Sequence, residues 1–81
     1  VEKQELREFV QKAINQLPED HRVVIILRDL QGLSYQEIAD ILNCSIGTVK
    51  SRLNRGRLKL RYELINIFPE YKDNFSGEEG A

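Results

Sequence analysis

The stretch from residue 47 to residue 61, GTVKSRLNRGRLKLR, carries six Lys and Arg side chains and no acidic one. Basic side chains at this density can neutralise phosphate groups, and an arginine can also donate two hydrogen bonds to the edge of a guanine base. The whole chain has a formal net charge of −1, so the basic character is confined to one part of it. The chemistry that these residues could carry is local recognition of a polyanion such as nucleic acid.

Charge alone does not establish this function, because a basic run on a helix is often only a solvated face. Residues 1–43 contain five basic and eight acidic side chains, and residues 62–81 contain one basic and five acidic side chains. Such segregation indicates that different surfaces of one small domain have different uses. Whether the basic stretch is a binding surface or a solvated face depends on the secondary-structure elements that carry it.

Composition excludes several other classes of function. The chain has 81 residues, room for one small domain, and because it contains no Met we expect it to be a piece of a longer protein. One cysteine, Cys44, and one histidine, His21, form neither a disulfide framework nor a set of zinc ligands, so we expect no metal and no cofactor. We interpret Cys44 as a turn thiol and His21 as an exposed side chain without a role. The sequence contains no nucleophile–base pair and no phosphate-binding loop, which predicts that the protein is not an enzyme.

Apolar residues recur at helical spacing almost throughout the chain and predict four helices. Pro18 separates the first helix from a second one over residues 19–30, and Gly32 is placed to cap the end of the second. The apolar face of the second helix is broad, which predicts that this helix is the most buried. The stripe of the first helix consists of Leu6, Phe9, Val10, Ala13, Ile14 and Leu17, and the face of the second consists of Val23, Val24, Ile26, Leu27 and Leu30.

The segment after Gly32 contains the start signals of two further helices. Ser34 and Glu37, three residues apart, form a capping box, which predicts a third helix from Tyr35 to about residue 42. Asn43 can adopt the left-handed conformation that a sharp turn needs. Ser45 then offers an N-cap for a fourth helix that begins at residue 46 and reaches residue 65 or beyond.

On a helical wheel the fourth helix has a core-facing stripe and an outward polar face. The stripe is predicted to contain Ile46, Val49, Leu53, Gly56, Leu60 and Leu64, with Gly56 allowing another element to pass closely. Gly47, Thr48, Ser51 and Arg55 point outward. Arg52 and Lys59 lie on one flank of this face, and Lys50, Arg57 and Arg61 lie on the other, where they can neutralise phosphate charge.

A short helix, a tight turn and a longer basic helix constitute a helix-turn-helix, so the sequence predicts a small all-α domain of four helices with this motif at its C-terminal end. In such motifs the second helix enters the major groove of DNA, and its N-terminal residues reach the base edges. The small outward residues of the fourth helix would let its backbone approach the DNA closely. We place the domain at residues 1–67 and expect residues 68–81, which are polar and acidic, to be poorly ordered.

Residues 17–61, LPEDHRVVIILRDLQGLSYQEIADILNCSIGTVKSRLNRGRLKLR, resemble region 4 of bacterial RNA polymerase sigma factors of the extracytoplasmic-function (ECF) type. The specific part of the resemblance is the combination of "LP" with "GTVKSR" and "RGR". The other matching features are Arg22, Leu27, Gly32, Ser34, Glu37-Ile38-Ala39, Leu42 and Leu60-Arg61.

The resemblance implies a role as the sigma-factor domain that binds the −35 element of a promoter within RNA polymerase holoenzyme. It also implies docking on the flap of the polymerase β subunit, an anti-sigma factor as a further partner, and a location in the bacterial cytoplasm at the nucleoid, without membrane insertion. Carried over by position, base and backbone contacts fall on Gly47, Thr48, Lys50, Ser51, Asn54 and Arg55. Further phosphate contacts fall on Tyr35, Arg52 and Arg57, and the polymerase surface involves the first two helices and the end of the fourth.

Two alternatives share parts of this pattern. One is the DNA-binding effector domain of a response-regulator transcription factor, which also contains "EIA" and "GTVK" but usually dimerises through its last helix. The other is a protein-interaction adaptor that keeps the helix-turn-helix fold without using DNA. An adaptor predicts a neutral recognition face, whereas Lys50, Arg52 and Arg55 are basic.

Overall fold

The computed structural model describes residues 2–67 and 69–70, and this part of the chain is helical without a strand. The helices are α1 (Lys3–Asn15), α2 (Glu19–Ile25, continued by a π-helical turn over Ile26–Leu30), α3 (Tyr35–Leu42) and α4 (Ile46–Ile67). The predicted all-α fold with four helices is confirmed. The expectation of a poorly ordered tail lies outside the described residues, apart from Pro69 and Glu70.

The core is formed where α4 packs against the other three helices. Its members are fully apolar, so burial of hydrocarbon from water supplies most of the stability, about 1.5–3 kcal/mol for each large side chain. The described part of the chain buries no polar or charged residue completely. The buried residues are Ala13, Ile14, Leu17, Val24, Ile25, Ile38, Ala39, Val49, Leu53 and Leu64.

The second helix covers the predicted span but does not keep one helical geometry. From Ile26 it widens into a π turn, in which the amide of Gln31 donates to the carbonyl of Ile26 over 3.0 Å. A wider turn rotates successive residues by a smaller angle, so the last residues leave the face that a regular helix predicts. Leu30 is 57% exposed, and the prediction that it belongs to the buried face was wrong. Gly32 ends this segment with a φ of 76°, as a helix-capping glycine does.

Helix α2 crosses α4 in contact with Gly56. A Cβ atom added to Gly56 would lie 3.0 Å from Cδ1 of Ile25, 3.2 Å from Cβ of His21 and 3.4 Å from the carbonyl oxygen of His21. The predicted close approach at Gly56 is therefore confirmed. The prediction of an exposed His21 was wrong, because this crossing half-buries the side chain and leaves Nδ1 buried without a hydrogen-bond partner.

The inner stripe of α4 is shorter than the wheel predicts. Val49 and Leu53 are fully buried, but Ile46 is 36% exposed. Ile46 is the first residue of α4, and the helix reaches the core only at Val49. The placement of Ile46 in the core-facing stripe was wrong for this reason, and Leu60, which is half-buried, packs at the edge of the core.

The capping box at the start of α3 is present as predicted. The amide of Glu37 donates to Oγ of Ser34 over 3.1 Å, and the amide of Ser34 donates to Oε1 of Glu37 over 2.9 Å. This second hydrogen bond lowers the pKa of the Glu37 carboxyl, because it favours the charged form. The two bonds fix where α3 begins.

Replacing Gly56 by alanine tests the crossing of α2 and α4. Replacing an exposed helical glycine by alanine usually stabilises the folded protein by about 1 kcal/mol. Here the added methyl group would meet α2 at overpacked distances, which costs about 1–3 kcal/mol of stability. We expect Gly56→Ala to lower the free energy of unfolding measured with a denaturant. Gly47→Ala is the matched control in the same helix, since its Cβ would meet only Oγ of Ser45, at 3.8 Å. A Gly56→Ala variant more stable than Gly47→Ala would contradict the packing.

Loss of the capping box should destabilise the domain. Ser34→Ala removes the side-chain acceptor at the N-cap, and we expect a loss of about 1 kcal/mol in the free energy of unfolding. A denaturation midpoint equal to that of the wild type would mean that the cap does not stabilise α3.

The carboxylate of Glu37 should give the capping box a pH dependence. Because folding lowers its pKa, its contribution is complete above the ordinary carboxyl pKa and is lost as the pH falls through the lowered, folded pKa. We therefore expect Glu37→Gln to be less stable than the wild type at neutral pH, with a difference that shrinks on acidification below about pH 4. Glu8→Gln, on the exposed surface of α1, is the control, and a constant difference for Glu37→Gln across this range would refute the carboxylate's role.

Candidate nucleic-acid interface

A tight turn joins α3 to α4 and fixes their relative direction. Asn43 takes the left-handed conformation with a φ of 53°, and the amide of Cys44 donates to the carbonyl of Ala39 over 3.0 Å. Ser45 caps α4, since its Oγ accepts from the amide of Thr48 over 3.0 Å and lies 2.9 Å from Oγ1 of Thr48. Cys44 is a half-buried turn residue with a free thiol, as its position in the sequence suggested.

The first turns of α4 present a face of small and polar side chains. Gly47, Asn54 and Arg55 are exposed, while Thr48 and Ser51 are half-buried. A Cβ atom added to Gly47 would meet Oγ of Ser45 at 3.8 Å, an ordinary contact, and Gly47 is exposed, so the backbone there is accessible to a large ligand. The structure thus brings these five predicted site residues to one side of α4.

The cations on one side of this face have no acidic partner among the described residues. Arg52 is half-buried and borders a shallow depression with Glu19, Asp20 and Val23, but forms no ion pair there. Arg55 and Lys59 are exposed and border a second depression, which His21, Leu58, Tyr62 and Glu63 complete. Their charges therefore remain available to an anionic ligand.

The cations on the side facing α3 have internal contacts. The ring of Tyr35 lies 4.6 Å from Cζ of Arg28 and 5.5 Å from Nζ of Lys50, both measured to its centroid. Arg28 also donates from Nη1 to the carbonyl of Leu33 over 2.8 Å, which fastens the connection between α2 and α3. Tyr35 is half-buried between these elements, so its ring acts as a platform for two cations.

Arg57, on the same side, is paired with an acidic residue of the π turn. Its Nη2 lies 2.6 Å from Oδ1 of Asp29 and its Nε lies 3.0 Å from Oδ2, which is a bidentate geometry. The hydrogen bond to Asp29 raises the pKa of Arg57, against the opposing effect of partial burial. Farther along α4, Arg61 is half-buried, with Cζ 5.8 Å from the ring centroid of Tyr62.

Sequence reasoning missed Arg28 and Asp29. The apolar pattern of the second helix drew no attention to its two charged residues, and Asp29 is 28 positions from Arg57. No local spacing rule connects residues so far apart. Arg28 could have been noticed only as the cation nearest to the capped start of α3.

The arrangement of α3, turn and capped basic α4 defines a helix-turn-helix of the DNA-binding class. The Sigma-70, region 4 family model matches residues 7–60, and the chain belongs to this family. The match disfavours the response-regulator alternative.

The chain is also similar to individual sigma factors. It is 56% identical over 54 residues to the ECF RNA polymerase sigma-E factors of Escherichia coli (strain K12) and Salmonella typhimurium (strain LT2), an alignment covering 67% of this chain and 28% of each relative. The ECF RNA polymerase sigma-E factor of Haemophilus influenzae is 51% identical over 53 residues, which cover 65% of this chain and 28% of that protein. The chain thus spans little more than a quarter of these curated relatives.

Residues 2–67 and 69–70 contain neither a membrane-spanning helix nor a cluster of metal ligands. No helix there is long and apolar enough to cross a membrane. In the same ranges, no group of three or more His, Cys, Asp or Glu side chains is arranged to hold a metal ion.

Proposed function

We propose that this chain is the promoter-binding C-terminal domain of an ECF sigma factor and that it binds the −35 element of double-stranded promoter DNA within RNA polymerase holoenzyme. One observation carries the proposal: the outward face of α4 is small and polar, and it is bordered by Arg52, Arg55 and Lys59, which have no acidic partner in the described part of the chain. Membership of the sigma-70 region 4 family gives this face its biological setting. The domain has no catalytic role of its own and acts at the nucleoid in the bacterial cytoplasm.

Within this proposal, the residues on α4 that bind DNA through long side chains divide into two groups, one for base edges and one for phosphates. The first group is exposed and lies in the N-terminal half of α4, from which side chains can reach base edges; it consists of Lys50, Asn54 and Arg55. There an arginine can bind guanine with two hydrogen bonds. Arg52 and Lys59 bind phosphates from the flank. The small residues Gly47, Thr48 and Ser51 allow close approach, while Tyr35 and Arg61 border the DNA backbone.

Affinity of the separate domain for DNA should be low. The residues outside the basic stretch carry an excess of acidic side chains, which repels a polyanion. A domain tethered within holoenzyme experiences an effective DNA concentration of roughly millimolar, so weak binding is sufficient. This explains why a DNA-reading domain can have a net charge of −1.

A second surface supports the proposal of a protein partner. Leu6 and Leu30 are 37% and 57% exposed, and together with Val10 and Ile14 they line a shallow apolar groove of about 380 Å³ between α1 and the π turn. Apolar grooves of this kind are favourable sites for burying a partner's apolar side chains. We assign this groove to the β flap of RNA polymerase, with an anti-sigma factor competing for the domain.

The two groups of α4 residues should differ in their effects on DNA binding. The reference duplex is one selected from a random library by the full-length factor with core polymerase, and a scrambled duplex of the same composition is the comparison. We expect Arg55→Ala to lose about 1–3 kcal/mol of preference for the selected duplex. Arg52→Ala should weaken both duplexes alike, because a phosphate contact carries no sequence information.

Salt dependence tests the electrostatic basis of the same proposal. Five cations of α4 other than Arg57 lie at or beside the proposed DNA face, namely Lys50, Arg52, Arg55, Lys59 and Arg61. If four or five of them neutralise phosphate charge, the slope of log K against log salt should be about −4 for the wild-type chain. A slope near zero would refute the proposed DNA interface. Retained flap binding with no DNA binding would favour the adaptor alternative instead.

The apolar groove should bind the polymerase independently of DNA. We expect Leu30→Glu to abolish capture of a β-flap fragment while leaving DNA binding intact, because the substitution places a charge in the groove. Ile41→Glu on α3 is a matched control, since Ile41 is 58% exposed and lies outside the groove. Equal loss of flap binding in both variants would show that the groove is not the docking site.

A further inference from the structure

Arg57 differs from Arg52, Arg55 and Lys59 in being already bound by a carboxylate. Asp29 accepts hydrogen bonds from both Nη2 and Nε, so this partner uses one bidentate edge of the guanidinium, two of its five N–H groups. Arg52, Arg55 and Lys59 have no such partner within residues 2–67 and 69–70. A phosphate that binds this edge of Arg57 must replace a bidentate anion of similar geometry, and one that binds the Nη1 edge meets a guanidinium whose charge Asp29 already neutralises. A phosphate that binds Arg52 or Lys59 replaces only water.

Releasing Arg57 to DNA also has an electrostatic cost. The carboxylate of Asp29 would be left unpaired close to a phosphate chain of the same charge, which opposes binding. The Asp29 side chain is 35% exposed and the Arg57 side chain is 45% exposed, so solvent screens this cost without removing it. Both considerations favour an Arg57 that keeps its partner.

The ion pair of Asp29 and Arg57 joins the π turn to α4, close to Tyr35 and Lys50, which are proposed to face DNA. Asp29 follows Arg28, which contacts the ring of Tyr35 and the carbonyl of Leu33. Lys50, which also lies over Tyr35, precedes Arg57 by two turns on the same side of α4, about 10 Å along the helix. The connection between α2 and α3 is thus tied to α4 at two points, one at Tyr35 and one at Asp29.

We propose that Asp29 and Arg57 remain paired on DNA and act as positioning residues that fix how Tyr35 and Lys50 are presented to the promoter. This inference rests on the proposed function, and it changes the role that the sequence suggested for Arg57. Arg57 contributes through the geometry of the interface and not through neutralisation of a phosphate.

Arg57→Lys separates the two roles, because lysine keeps the positive charge but lacks the planar fork. A positioning role predicts that Arg57→Lys and Arg57→Ala both lose affinity for the selected duplex, by about tenfold, and lose preference over the scrambled one. It also predicts a salt slope unchanged from the wild type in both variants. Asp29→Asn should produce the same loss, and combining it with Arg57→Lys should add little.

A phosphate-binding role predicts the opposite results. Arg57→Lys would then bind like the wild type, Arg57→Ala would reduce the salt slope by about 1, and Asp29→Asn would raise affinity for every duplex. Any of these outcomes in variants that fold, as judged by circular dichroism and denaturation, overturns the inference.

The wild-type chain and Arg55→Ala are measured at low salt in the same series, so that the two proposals can fail separately. A wild-type chain that binds no duplex overturns both the DNA-binding function and the inference. A wild-type chain that binds selectively, with Arg55→Ala defective and Arg57→Lys unaffected, preserves the function and overturns the positioning role alone.

Discussion

The close approach of α2 to α4 at Gly56 is the constraint on which the rest of the structure depends. Any side chain at this position would meet Ile25 and His21, including the backbone of His21. The absence of a side chain lets α2 settle against α4, which buries Val24 and Ile25. With one face of α4 held in this way, its opposite face is left to solvent and to a ligand.

One helix therefore provides both the core and the recognition surface. Val49 and Leu53 are fully buried, while Gly47 and Arg55 in the same turns are exposed. Because the inner residues of α4 are tightly packed, the helix and its outer face cannot rotate relative to the rest of the domain. The cap at Ser45 adds a fixed starting point for the helix. Binding energy then need not be used to orient this helix, which suits the weak DNA binding that we propose for the separate domain.

The basic residues of α4 are not all equally available on the surface of the folded domain. Six basic residues lie between positions 47 and 61, but the structure divides them by side. Lys50 and Arg57 have contacts toward α3, with Tyr35 and Asp29 respectively, whereas Arg52 and Lys59 have no acidic partner among the described residues. In the proposed interface, one flank would attract phosphates and the other would fix the geometry of the contacts.

The sequence by itself determined the features that depend on residues three or four positions apart. It predicted the capping box of Ser34, the left-handed Asn43, the cap at Ser45 and the four helices, because each follows from local hydrogen bonds or apolar periodicity. The family resemblance likewise rested on contiguous motifs. The all-α fold and its helix-turn-helix could therefore be predicted in full, and the proposed DNA-facing residues could be placed on one side of α4.

Only the tertiary structure decided the features that depend on how the helices meet. The π turn carries Leu30 out to solvent, the crossing at Gly56 half-buries His21, and Ile46 lies beyond the core. The pairing of Asp29 with Arg57 spans 28 positions and has no local signal. A prediction from helical periodicity assumes that the helix is regular and that every apolar residue on its inner face is buried. The actual burial and the long-range ion pairs depend on where a helix widens and where its neighbouring helices end.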